Sequence, residues 1–199
     1  MRFELFYQII GLIYKAVPRF ICQLCGIKNK IMGLSNLGIF HTVIGIIAIL
    51  AAIISFVRFG KINLAHLTGQ IYFYGTVITA LTALGISKHG GFNPGHILSI
   101  LIFILVVIAF FLSAKKKGNN NARYFENFLL SFSFFLSMLP TVNETFTRIP
   151  VGHPLAKDIA DPVIAKTLLV LLALFIAGSI YQFIKQRKAN ILRKTESAL

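Results

Sequence analysis

Five long stretches with few or no charged residues constrain the fold of this chain more than any other feature. They cover residues 37–57, 64–86, 96–114, 124–142 and 163–184. The hydrocarbon core of a bilayer is about 30 Å thick, and about 20 residues of α-helix cross it. Because lipid offers no partners to backbone N–H and C=O groups, each stretch is expected to be a helix. The sequence therefore predicts an all-α, polytopic membrane helix bundle with five transmembrane helices.

The composition agrees with a membrane protein and not with a soluble one. Of the 199 residues, 56% are hydrophobic and only 13% are charged, whereas soluble domains average about 25% charged residues. A chain this short has no interior large enough to bury so much apolar side chain in water. The formal net charge of +14 is spread between the apolar stretches, which indicates contact with anionic lipid headgroups and argues against nucleic acid as a partner.

Lysine and arginine residues are divided unequally between the two ends of the predicted helices. The richer end contains Arg58, Lys61, Lys115, Lys116, Lys117, Arg123, Lys185, Arg187, Lys188, Arg193 and Lys194. The other end contains Lys88, Arg148, Lys157 and Lys166. The positive-inside rule assigns the richer end to the cytoplasm. The sequence thus predicts a multi-pass inner-membrane protein with a basic cytoplasmic tail over residues 186–199.

Residues 1–30 are predicted to form an amphipathic helix at the membrane interface, ahead of a transmembrane bundle over residues 31–185. On a helical wheel their polar side chains share one sector and their apolar side chains fill most of the remainder. Cys22 and Cys25 form a CxxC pair near the end of this segment. With so few cysteines, two incidental thiols are a better interpretation of this pair than a metal or redox site.

The placement of histidines suggests a site in the outer half of the membrane. His41 shares one helical stripe with the small residues Gly38, Gly45, Ala48, Ala52 and Ser55. Small residues let helices approach closely, so His41 is expected to face the protein interior. His96 opens the third stretch at a similar depth, and two such histidines suit axial ligation of a b-type haem. Our hypothesis is a site of His41, His96, Glu144 and Arg148, with His153 nearby, which binds haem or a transition metal or relays protons.

A simpler interpretation of the same residues stays open. His41 can hydrogen-bond a neighbouring helix, and Glu144 and Arg148 can pair across one helical turn. Three function classes follow: a binding or electron-transfer component, a small transporter or channel-like bundle, and a structural or accessory subunit of a membrane complex or homo-oligomer. The chain has no HExxH, no GxSxG and no glycine-rich phosphate loop, so an enzyme is the least supported class.

Three short motifs in the chain resemble a group of uncharacterised bacterial multi-span membrane proteins. The motifs are His41-x-x-x-Gly45, His66-x-x-Gly69-x-x-Tyr72 and Glu144-Thr-Phe-Thr-Arg148-Ile-Pro150. In the second motif two residues separate the histidine from its glycine, where that group has three. The resemblance covers residues 37–155 and implies a small inner-membrane protein of bacteria. It implies no established activity.

Overall fold

The computed structural model describes residues 36–86, 93–115, 120–150 and 152–196, and all regular structure within them is helical. The predicted amphipathic helix over residues 1–30 and the pair Cys22 and Cys25 lie outside the described residues. The helices in chain order are α1 (Asn36–Phe59), α2 (Leu67–Ala83), α3 (Pro94–Lys115), α4 (Asn120–Arg148) and α5 (Pro162–Glu196).

Four of these helices, α1, α3, α4 and α5, are long and apolar enough to cross a membrane. Large apolar side chains point outward along them, such as Val57 at 81% exposure and Leu169 at 66%. A surface of this kind is stable in lipid, whereas in water it would associate. The prediction of an all-α multi-span membrane protein is therefore confirmed. The remaining helix, α2, has 17 residues and is about 25 Å long.

Small residues bring α1 and α2 close together. A Cβ atom built on Gly75 of α2 would lie 2.9 Å from the Cβ of Ala48 on α1. One turn further along, a Cβ on Gly45 would lie 3.6 Å from Cγ2 of Thr79. Interfaces of this kind let two backbones approach and gain dispersion contacts where lipid offers no hydrophobic driving force. The predicted small-residue stripe of α1 thus packs against α2.

The connection between α1 and α2 is held by hydrogen bonds to a buried serine. The Ser55 hydroxyl donates to the Lys61 carbonyl and accepts from the backbone N–H of Asn63, each at 3.0 Å. A Cβ atom on Gly69 would lie 2.1 Å from the Asn63 carbonyl oxygen. No side chain fits in that space, so only glycine allows α2 to begin so close to the connection.

The main core lies where α1, α2, α3 and α4 meet, and Tyr72 occupies its centre. Tyr72 is 1% exposed, and its hydroxyl lies 2.8 Å from that of Ser133 on α4. Because Ser133 donates its own proton to the Leu130 carbonyl, Tyr72 is the donor in this pair. The rings of Phe56 and Phe134 meet edge to face beside it, with centroids 5.3 Å apart.

Helix α4 continues past Pro140 and ends at Arg148, although the proline predicts a kink or an early end near residue 142. Proline removes one backbone hydrogen bond, and membrane helices tolerate this loss because neighbouring groups satisfy the freed carbonyl. Beyond α4, Asp161 caps α5 by accepting a hydrogen bond from the N–H of Val163, and it accepts a second one from the N–H of Lys157 in the preceding loop. These bonds hold the pKa of the Asp161 carboxyl below its usual value.

Candidate functional site

His41 is half-buried on α1 and makes a hydrogen bond to α2. Its Nδ1 lies 3.1 Å from the Thr82 hydroxyl oxygen. That hydroxyl is 2.9 Å from the Ile78 carbonyl and 3.1 Å from the Thr79 carbonyl, to which it donates. The imidazole N–H is therefore the donor to Thr82. This arrangement is the one that the simpler interpretation describes, an imidazole that links two neighbouring helices.

His96 is buried in the first turn of α3, and its side chain hydrogen-bonds the residue that precedes the helix. Its Nδ1 accepts the backbone N–H of Asn93 at 3.2 Å. The Asn93 side-chain oxygen accepts the N–H groups of Gly95 at 2.8 Å and His96 at 3.3 Å. Asparagine before the helix and proline at its first position form a favourable helix start. The imidazole of His96 is thus held by its own helix cap.

The remaining predicted site residues lie at the end of α4 and in the loop after it. Glu144 and Arg148 form a salt bridge across one turn, with the Glu144 side chain half exposed. Such a pair contributes about 0.3–0.5 kcal/mol. His153 is exposed, and its backbone N–H donates to the Pro150 carbonyl at 3.1 Å. The structure brings Glu144 and Arg148 together and places His153 on the surface.

Metal binding finds no support in this arrangement. Among residues 36–86, 93–115, 120–150 and 152–196, no three His, Cys, Asp or Glu side chains are grouped so that they could hold a metal ion. His41 is bonded to Thr82, His96 to Asn93 and Glu144 to Arg148. A haem or transition-metal site at His41, His96 and Glu144 stays a prediction.

A row of uncharged polar side chains joins α4 to α5, and we call it the polar seam. Its members are Tyr124, Asn127, Ser131, Gln182, Gln186 and Asn190. The Ser131 hydroxyl donates to the Gln182 side-chain oxygen at 3.0 Å. Asn127, Gln182 and Gln186 are all less than 10% exposed. Polar groups buried between two helices are costly unless bonded, which makes the seam a candidate functional feature.

The amide groups of the seam form a directional chain. The Asn127 side-chain NH₂ donates to the Gln186 oxygen at 3.4 Å, and the Gln186 NH₂ donates to Asn190 at 2.8 Å. The Asn190 NH₂ then donates to the Tyr124 hydroxyl at 3.3 Å. Each interhelical hydrogen bond in a membrane contributes about 0.6 kcal/mol. The chain therefore fixes which face of α5 is turned toward α4.

A cavity of about 390 Å³ lies beside the polar seam. Its lining residues are Asn121, Tyr124, Phe125, Asn127, Phe128, Ser179, Gln182 and Phe183. Two buried atoms in this wall, Oδ1 of Asn127 and Oγ of Ser179, have no hydrogen-bond partner among the described residues. A buried polar atom without a partner costs about 1–3 kcal/mol. A ligand with a polar head would recover that cost, so the cavity is the strongest candidate binding site.

A second polar group gathers where α1 ends. The Lys185 ammonium of α5 donates to the Phe59 carbonyl, the last of α1, at 3.2 Å. Burial lowers the pKa of Lys61, the Glu126 carboxylate raises it, and Arg123 and Lys185 lower it further. Lys61 therefore lies within electrostatic range of charged side chains from α4 and α5.

Sequence reasoning missed both the seam and Glu126, although signals for each exist. Gln182, Gln186 and Asn190 are spaced four residues apart and so share one face of a helix. Glu126 is an acid inside an otherwise apolar, phenylalanine-rich stretch. Charged residues within membrane segments are functional candidates in their own right.

Comparisons with protein-family models, with curated proteins and with solved structures found no significant match to this chain. The resemblance to bacterial multi-span membrane proteins, carried by the motifs around His41, His66 and Glu144, stays a prediction.

Proposed function

We propose that this chain is a bacterial membrane protein that binds an amphiphile with a hydroxyl head group in the cavity between α4 and α5. One observation carries the proposal: the wall of that cavity contains two buried polar atoms, on Asn127 and Ser179, that have no partner among the described residues. Ser179 lies in the apolar stretch over residues 163–184, where no water replaces a missing partner. A bound head group that hydrogen-bonds either atom is therefore held by more than apolar contact.

The chemistry of the two atoms supports a hydroxyl group in particular. Oδ1 of Asn127 is an acceptor, and its amide already donates to Gln186. Hydrogen bonds in such a chain polarise one another, which strengthens the acceptor at its beginning. The Ser179 hydroxyl can donate or accept. A ligand hydroxyl can therefore hydrogen-bond either atom, while the rings of Phe125 and Phe183 supply an apolar wall for its hydrocarbon part.

Topology belongs to the same proposal: five membrane crossings in an inner membrane, with the C-terminus in the cytoplasm. α2 is short, but it packs against both α1 and α3, and turn residues on either side lengthen its apolar stretch to residues 64–86. α5 has 35 residues and is about 52 Å long. It therefore extends beyond the hydrocarbon at its basic end, which the positive-inside rule assigns to the cytoplasm.

Binding of a hydroxyl amphiphile is tested with two closely matched lipids. We expect the purified protein to bind 1,2-dioleoylglycerol about fivefold more tightly than 1,2-dioleoyl-3-acetylglycerol, which has no hydroxyl donor; this is the value of one neutral hydrogen bond. Asn127→Leu and Ser179→Ala should each reduce that preference. The measurement is equilibrium binding of the radiolabelled lipids in detergent micelles.

Two variants make the lipid result specific to the cavity. Ser179→Ala leaves every bond of the polar seam in place, so its effect does not depend on how α5 packs. Thr141→Val, on α4 like Asn127 but outside the cavity, should retain the full preference. Equal binding of the two lipids by the unchanged protein would rule the proposal out.

Haem ligation by His41 and His96 remains a separate hypothesis, and an absorption spectrum tests it. A Soret band that disappears in both His41→Ala and His96→Ala would support axial ligation by these residues. A colourless preparation without iron or another transition metal by elemental analysis would discard it. The transporter and accessory-subunit alternatives likewise stay predictions.

A further inference from the structure

Charged residues lie near the end of α1, and we call them the basic cluster: Lys61, Arg123, Lys185 and the acid Glu126. Geometry fixes two of its members. The Lys185 ammonium is hydrogen-bonded to the Phe59 carbonyl at 3.2 Å, and a Cβ atom on Gly60 would lie 3.1 Å from it. Lys185 therefore lies against the residue next to Lys61, although it belongs to a different helix.

The position of Lys61 is also set by the fold. Its carbonyl accepts the hydroxyl of Ser55, which is fully buried. The following residue, Ile62, is 1% exposed and anchors the connection in the core. Lys61 itself is half-buried. The fold thus fixes the backbone from which the Lys61 side chain extends.

Within the cluster, positive charge exceeds negative charge. Lys61 interacts with one carboxylate, Glu126, and with two further cations, Arg123 and Lys185. One acid therefore faces three basic groups, an imbalance that favours binding of an anion. Arginine and lysine together are typical ligands for a phosphate group, the first through its planar fork and the second as a point charge.

The position of the basic cluster relative to the apolar helices indicates that the anion is part of a lipid headgroup. It begins directly after the apolar helix α1, and the rings of Phe59 and His66 stack beside it with centroids 4.2 Å apart. Tyr181, one turn before Lys185, is 55% exposed and lies under its ammonium at 5.6 Å. Exposed aromatic rings next to lysine are typical of the headgroup level of a bilayer.

We propose that the basic cluster binds the phosphate of one anionic phospholipid headgroup in the adjacent leaflet. Lys61 and Lys185 provide the positive charge from two separate elements, so the bound lipid links the α1–α2 connection to α5. Glu126 offsets part of the positive charge of the cluster in the absence of the phosphate. This site is distinct from the cavity beside the polar seam and does not depend on the function proposed for it.

Native mass spectrometry of the full chain in detergent micelles tests the site, with phosphatidylglycerol and phosphatidylcholine as probes. We expect one phosphatidylglycerol to be retained in preference to phosphatidylcholine. Lys61→Gln and Lys185→Gln should each weaken phosphatidylglycerol binding about fivefold, the contribution of one lysine near an anionic headgroup. Lys188→Gln is the matched control, because it removes the same charge from an exposed position one turn away on α5.

Three results would overturn the proposal. An equal loss in Lys188→Gln would mean that diffuse charge, not the cluster, attracts the lipid. Displacement by inorganic phosphate at the concentration of the lipid would assign the cluster to a free anion. A loss in Glu126→Gln as large as that in Lys61→Gln would reduce the cluster to a structural ion pair, since removing the acid should leave phosphatidylglycerol binding unchanged or stronger. Unchanged retention of phosphatidylcholine verifies that each variant is folded.

Discussion

Gly69→Ala is expected to lower the free energy of unfolding by about 3 kcal/mol, the upper range for overpacking a tight interface. The added Cβ would lie 2.1 Å from the Asn63 carbonyl oxygen, 2.4 Å from its carbon and 2.8 Å from the backbone nitrogen of Leu64. All three are backbone atoms, so no side-chain rotation relieves the clash. The connection cannot retreat either, because Ser55 holds it by two hydrogen bonds.

Gly178→Ala is the matched control for this result. Gly178 also lies within a helix, and a Cβ atom there would have no neighbour within 4 Å. Alanine favours the helix over glycine by about 1 kcal/mol, so this variant should be as stable as the unchanged protein or more stable. Unfolding is measured by titration with dodecyl sulfate in detergent micelles. Equal stability of Gly69→Ala and Gly178→Ala would show that the α1–α2 connection is not as tight as described.

Tyr72→Ala is expected to cost about 3–5 kcal/mol, the value for removing a large aromatic side chain from a packed core. Tyr72 is 1% exposed and packs among α1, α2 and α4. Tyr72→Phe keeps the ring and loses only the hydrogen bond to Ser133, which still donates to Leu130. Its cost should be about 1 kcal/mol. The same titration measures the stability of both variants. If Tyr72→Phe were as unstable as Tyr72→Ala, the hydrogen bond and not the packing of the ring would be the main contribution of Tyr72.

Hydropathy predicted where the helices lie better than where they end. The first stretch, 37–57, differs from α1 (Asn36–Phe59) by one or two residues at each end. The fourth and fifth stretches stop at residues 142 and 184, whereas α4 and α5 continue to Arg148 and Glu196. Apolar composition reports the part of a helix that lies in lipid. Backbone hydrogen bonding continues into polar residues, which the composition does not reveal.

The contacts within the candidate sites depend on which helices pack together, and a single sequence does not give that information. The small residues around His41 indicate that it faces another helix, but its bond to Thr82 depends on how α1 and α2 align. In the same way, Asn127 and Gln186 meet only because α5 packs against α4. The polar spacing on each helix was visible in the sequence. Which helix would meet which, and at what height, follows from packing of the whole bundle.

Regular spacing in the polar seam has a consequence for how α5 can slide along α4. Polar residues recur every four positions on α5, at Gln182, Gln186 and Asn190, and Ser131 follows Asn127 by four on α4. An axial displacement by one helical turn, about 5.4 Å, would again set amide groups opposite one another. Hydrogen bonding alone therefore does not determine the height of α5. The ring of Phe175, which meets three α4 rings at 5.2–5.9 Å, adds aromatic contacts at the observed height.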